Sequence, residues 1–141
     1  MRTILPFLLR TAFLALIFLM TGESANAQRT YAVSRGEWGG TGMNMTVAAS
    51  GVTIDFDCAT GEIPKQLRMT TKGNFEIAGT LTRSGGGPIR IDREPKPTAV
   101  IFKGTVSGKT MEISVKDAET GEDLGSYTLT QGKTGRLRRC L

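Results

Sequence analysis

Along most of this chain apolar and polar side chains take turns, in short runs broken by glycine. The clearest run is Val52-Thr53-Ile54-Asp55-Phe56-Asp57-Cys58, with Val52, Ile54, Phe56 and Cys58 on one side and Thr53, Asp55 and Asp57 on the other. A period of two is that of a β-strand with one dry and one wet face. Ser50-Gly51 turns into it from a first strand in which Met43, Met45, Val47 and Ala49 alternate with Asn44, Thr46 and Ala48. Upstream, Tyr31-Ala32-Val33 has weak strand character, and Gly36-Glu37-Trp38-Gly39-Gly40 leads into the first strand. Downstream, Ala59 to Pro64 reads as a turn, because Pro64 cannot donate to a ladder. Gln66 to Thr71 predicts a third strand with Leu67 and Met69 inward, and Lys72-Gly73-Asn74 a tight hairpin into a fourth, Phe75 to Leu81. Val100 to Val106, Met111 to Val115, Leu124 to Thr130 and Arg136 to Cys140 complete the set.

No segment carries a period of 3.6, so helices are not expected. About eight short strands at regular turn spacing predict an all-β antiparallel meander closed into a small barrel. Closure removes the exposed edges that invite aggregation. The two cysteines point the same way. Cys58 lies on the second strand and Cys140 on the eighth, and in a meander those strands meet only if the sheet rolls up. An even pair, with no C-x-x-C spacing, predicts a disulfide in an exported chain. The other account of the pair is two free or redox-active thiols. Closing so long a loop is expected to stabilise the fold by about 4 kcal/mol in the chain-entropy model.

The first 27 residues change the setting. Arg2 and Arg10 precede or interrupt apolar sequence, Ala12 to Met20 is unbroken apolar, and Ala25-Asn26-Ala27 has the small-x-small form of a cleavage site. That is a signal peptide, 1–27, leaving 28–141 as a single barrel domain, periplasmic or secreted, with no stable membrane insertion after cleavage. An uncleaved N-terminal anchor is the other account. Removing Arg2, Arg10 and Glu23 leaves the chain mildly basic, from a formal charge of +5 for the whole.

Candidate chemistry is sparse. The chain has no histidine, which excludes histidine-based triads and imidazole metal sites. Asp55 and Asp57 stand roughly 7 Å apart on one strand face, a spacing open to paired carboxylates, but nothing around them promises the apolar pocket that a raised carboxyl pKa needs. They read as a solvated face. Asp117, Glu119, Glu122 and Asp123 match no EF-hand spacing and read as a solvated turn. Gly85-Gly86-Gly87 lacks the Lys-Ser/Thr and helix of a phosphate loop. No catalytic residue, metal or cofactor is therefore expected. Ser84 to Pro97 is the longest turn-rich stretch and the candidate surface for a protein partner, with Ser84, Gly86, Pro88, Arg90 and Arg93 named for that role. Lys133, Arg136, Arg138 and Arg139 read as solvated charge, and no nucleic acid is expected of an exported chain with few exposed aromatics.

Gly36-Glu37-Trp38, taken with Arg136, Arg138 and Arg139 near the end, resembles the calycin pattern of lipocalins, avidins and small bacterial metalloprotease inhibitors. The resemblance implies that an arginine, Arg138, lies across the Trp38 ring and closes one end of the barrel, a cation–π contact of roughly 0.5–2 kcal/mol. The chain is shorter than a typical lipocalin and nearer in size to the inhibitor barrels, which also carry one disulfide. It is also similar to a group of small exported bacterial proteins with no assigned activity. Export, size, the missing catalytic set and the long loop point to an exported, non-enzymatic binding or inhibitor-like barrel. The alternatives are a carrier of a small hydrophobic ligand in the barrel interior and a structural, envelope-associated protein.

Overall fold

The computed structural model describes residues 27–84, 92, 94–138 and 140, so the expected signal segment, Ala27 apart, lies outside them. Ten strands form, β1 (Thr30–Ala32), β2 (Gly36–Gly40), β3 (Met43–Val47), β4 (Val52–Phe56), β5 (Ala59–Ile63), β6 (Arg68–Thr70), β7 (Asn74–Arg83), β8 (Thr98–Ser107), β9 (Thr110–Asp117) and β10 (Asp123–Gln131). Eight of them close into a barrel in the order β10-β2-β3-β4-β5-β7-β8-β9, while β1 and β6 pair as a separate ribbon. Every pairing between these strands is antiparallel, and the seam is the short β10–β2 contact, Thr130 against Gly39 and Gln131 against Trp38. The expected all-β, eight-stranded, disulfide-stapled barrel is thus the fold.

The strand identities differ from the expectation in four places. Gly36–Gly40 is itself a barrel strand rather than a lead-in. Ala59–Ile63 is a strand, not a turn, and Pro64 stands just beyond its end. Its inward positions are Ala59, Gly61 and Ile63, so glycine hides the alternation. A Cβ on Gly61 would lie 3.1 Å from the Phe56 ring, a close contact that glycine avoids. The strand expected over Gln66 to Thr71 leaves the barrel, pairing with β1 as β6 although Leu67 is fully buried. Arg136 to Cys140 is not a strand: it makes one parallel bridge, Arg136 with Thr41.

Side chains fill the barrel. Trp38, Met43, Met45, Phe102, Met111 and Leu129 are wholly buried, and Ile54 is 1% exposed. Two inward glycines make room for phenylalanine rings. A Cβ on Gly79 would sit 2.7 Å from Phe102, and one on Gly104 2.6 Å from Phe75. Burying such rings stabilises the fold by about 1.5–3 kcal/mol each.

The two barrel ends are finished differently. At one, here the ribbon end, β1 and β6 fold back so that Val33 and Leu67 join the core, with the Val33 N–H donating to the Leu67 carbonyl at 3.0 Å. At the other, the disulfide end, Cys58 and Cys140 are bonded with their Cα atoms 5.6 Å apart across 82 residues of sequence. A loop of that length is worth about 4 kcal/mol in the chain-entropy model, and such a bond suits an extracytoplasmic protein.

Candidate functional site: an open cup at the disulfide end

Strand alternation delivers the cup. Phe56 at the end of β4, Leu81 and Arg83 on β7, Val115 on β9 and Tyr127 on β10 all have inward parity. Leu81 and Val115 belong to the buried core, and Phe56, Arg83 and Tyr127 stand beyond it, where the disulfide end opens. Leu124 joins them through an irregularity: the β9–β10 register shifts between Asp123 and Gly125, and Gly125 takes φ 147°, a value that favours glycine. A bulge of this kind re-aims a side chain. With Asp57, Cys58, Ala59 and Ser84 these residues line a cavity of about 460 Å³. Phe56 and Tyr127 are its aromatic wall, ring centres 5.5 Å apart and tilted by 58°. A larger groove of about 730 Å³ lies against β8, β9 and β10, but Lys103, Thr105, Glu112, Ser114, Ser126 and Thr128 line most of it.

The chain beyond β10 straps the rim of the cup. The Gly135 N–H donates to Asn44 Oδ1 at 2.9 Å. Arg136 donates its N–H to the Gly40 carbonyl and accepts from the Gly42 N–H, both at 2.9 Å. The Arg138 N–H donates to Asp57 Oδ1 at 2.7 Å, and Cys140 then bonds Cys58. Gly39 and Gly40 explain the glycine pair after the tryptophan. A Cβ on Gly39 would collide with Lys133 O and Gly135 N, and one on Gly40 with Thr128 O.

Charge at the rim is divided. Arg83, Arg136 and Arg138 are exposed, and the one ion pair among the described residues, Lys103 with Glu76, lies elsewhere. Across the mouth, the β9–β10 turn is acidic and self-capped. Asp117 Oδ1 accepts the Glu119 and Thr120 N–H groups at 2.8 and 2.9 Å. Those backbone donors, Thr120 first, hold the Asp117 carboxyl below its ordinary pKa. Burial, reinforced by the Asp57 charge, pushes the Tyr127 phenol above its own.

The pair expected to close the barrel is kept apart. Trp38 is fully buried and its indole N–H donates to the Ser34 carbonyl at 3.0 Å, toward the ribbon end. Arg138 is exposed at the disulfide end, held through its backbone. Arg139 lies outside the described residues. Of the expected partner loop, Ser84 lines the cup and donates its N–H to the Cys58 carbonyl at 2.9 Å. Gly86, Pro88, Arg90 and Arg93 lie outside the described residues. Asp55 is a solvated face residue as expected, whereas Asp57 is half-buried and pins the strap. No sequence pattern marks that role, because the N–H it binds is 81 residues away. Among the described residues no cluster of three or more Cys, Asp or Glu side chains is placed to hold a metal ion. Chemically, the cup can receive an apolar group and present cations beside it.

Comparison of the chain with protein-family models, curated proteins and solved structures returns no match.

Proposed function

We propose that this is an exported, non-enzymatic binding protein, inhibitor-like in the calycin manner, that engages a protein partner with the disulfide end of its barrel. One observation carries the reading. A cavity of about 460 Å³ opens at that end, with Phe56, Leu81, Val115, Leu124 and Tyr127 in its lining beside Asp57, Arg83 and Ser84. The filled interior supports binding at the mouth over storage of a ligand inside, since Trp38, Phe102, Met43, Met45 and Met111 are wholly buried in it. The signal-like first 27 residues and the disulfide support export to the periplasm or beyond. Ser84, where the expected partner loop begins, stands on the rim of the cup, which supports giving that loop a share in the contact.

Size-exclusion chromatography of the mature protein against a panel of secreted proteases and lysozymes tests the reading. The expected result is a stable complex with at least one enzyme, weakened about tenfold or more by Leu124→Arg, the cost of about 1.4 kcal/mol or more at a contact centre. No complex with any of them overturns it. Native mass spectrometry showing a co-purified hydrophobic molecule, displaced by the same substitution, would favour a small-molecule carrier instead.

A further inference from the structure

Resting on the reading that the disulfide end is the binding end, we infer that its partner presents an acidic surface carrying one protruding apolar side chain. The apolar side chain seats in the cup and the carboxylates meet the arginine arc. Three observations converge. The cup is open and its aromatic wall, Phe56 and Tyr127, is only half-buried, so apolar surface is left for a partner to cover. Arg83 stands on the β7 edge of the cup, and Arg136 and Arg138 follow on the strap that crosses the rim, all exposed and without an ion pair to a described residue. Leu137, between those two, is 41% exposed, one of two large hydrophobic side chains so exposed among the described residues.

Arginine beside aromatic and aliphatic surface is the composition of interface hot spots rather than of an ordinary solvated rim. The arc is also fixed in advance. Backbone hydrogen bonds from Gly135, Arg136 and Arg138 and the Cys140 bond hold the strap on the barrel. Binding then has little main chain left to order. Charge decides the partner's sign and its orientation. The acidic β9–β10 turn on the far rim repels carboxylates, and Asp57 in the cup wall is already engaged by the Arg138 N–H, so an acidic partner is directed to the exposed arginines.

The test uses the oxidised mature protein, labelled for amide NMR, and three synthetic peptides of the same length. One has a central leucine flanked by Asp and Glu, one has serine in place of that leucine, and one has the leucine flanked by Lys and Arg. The acidic leucine peptide is expected to shift the Phe56, Leu81, Leu124 and Tyr127 amides. Serine in place of leucine is expected to weaken binding about tenfold, and the basic peptide to leave those amides unmoved. Raising the salt from about 20 to about 200 mM is expected to weaken the acidic leucine peptide several-fold. Arg83→Glu with Arg138→Glu, both exposed and safe for folding, is expected to remove binding, while Glu119→Lys on the far rim leaves it in place. Equal binding of acidic and basic peptides overturns the inference. So does a fatty carboxylate such as dodecanoate shifting the cup amides while no peptide does. Either can occur with a hydrolase complex intact, so failure here is distinct from failure of the binding-end reading.

Discussion

The two ends of this barrel are closed by different physics. At the ribbon end the chain spends residues: β1 and β6 fold over the opening, Val33 and Leu67 enter the core, and the Trp38 indole finds a carbonyl. At the disulfide end it spends a covalent bond and a few hydrogen bonds to a strap, and leaves Phe56, Leu124 and Tyr127 half-exposed. The difference teaches that a barrel this small needs only one end packed. A staple holds the other in register without filling it, which frees apolar surface for a partner.

Unequal costs of truncation are the most direct way to break that contrast. Trp38→Ala is expected to destabilise by about 3–5 kcal/mol in denaturant unfolding, because it empties the sealed end. Phe56→Ala, half-solvated at the open end, should cost about 1–2 kcal/mol. Equal losses would mean that the ends are packed alike. Next in size is the staple. Cys58→Ser with Cys140→Ser is expected to cost about 2–4 kcal/mol while leaving the Trp38 fluorescence maximum unshifted. A shifted maximum would show that the disulfide also holds the ribbon end.

Smaller effects sharpen the picture. Gly79→Ala should cost about 1–3 kcal/mol by driving a methyl group against Phe102. Asp57→Ala, which leaves the Arg138 N–H without its carboxylate, should cost about 1 kcal/mol and speed exchange of that amide. The smallest expected effect is on pH dependence. Tyr127 ionises later in the folded chain than in the unfolded one, since burial and the Asp57 charge disfavour the phenolate. Its contribution is therefore complete below the ordinary tyrosine pKa and is lost as pH rises through the raised value. In a tyrosinate absorbance titration, Tyr127→Phe should remove a late-titrating step; its persistence would overturn the assignment to Tyr127.

Much of the fold was legible because the inward residues of β3, β4 and β9 are large and alternate cleanly, and on β7 and β8 large residues flank the single inward glycines Gly79 and Gly104. Where glycine takes an inward place, as at Gly61, the same geometry leaves no trace in hydropathy, and β5 reads as a turn. β6 shows the converse. Its pattern is that of a barrel strand, with Leu67 inward, but Pro64 and Gly73 at its flanks send it across the end, where it pairs with β1. The cup was half-legible. Phe56, Leu81 and Tyr127 follow from parity, while Leu124 depends on a bulge and Asp57 on a distant N–H. The arginines near the end of the chain are visible in the sequence, but not that they straddle a rim away from Trp38.

The β10–β2 seam has a consequence for how the molecule is made. It joins the earliest and the latest ribbons of the tube through two residue pairs, so the tube stays an open sheet until nearly all of the chain has emerged. Contacts so remote in sequence form slowly. An unzipped first strand waiting beside its neighbours is the point at which crowded nascent copies would most readily cross-pair.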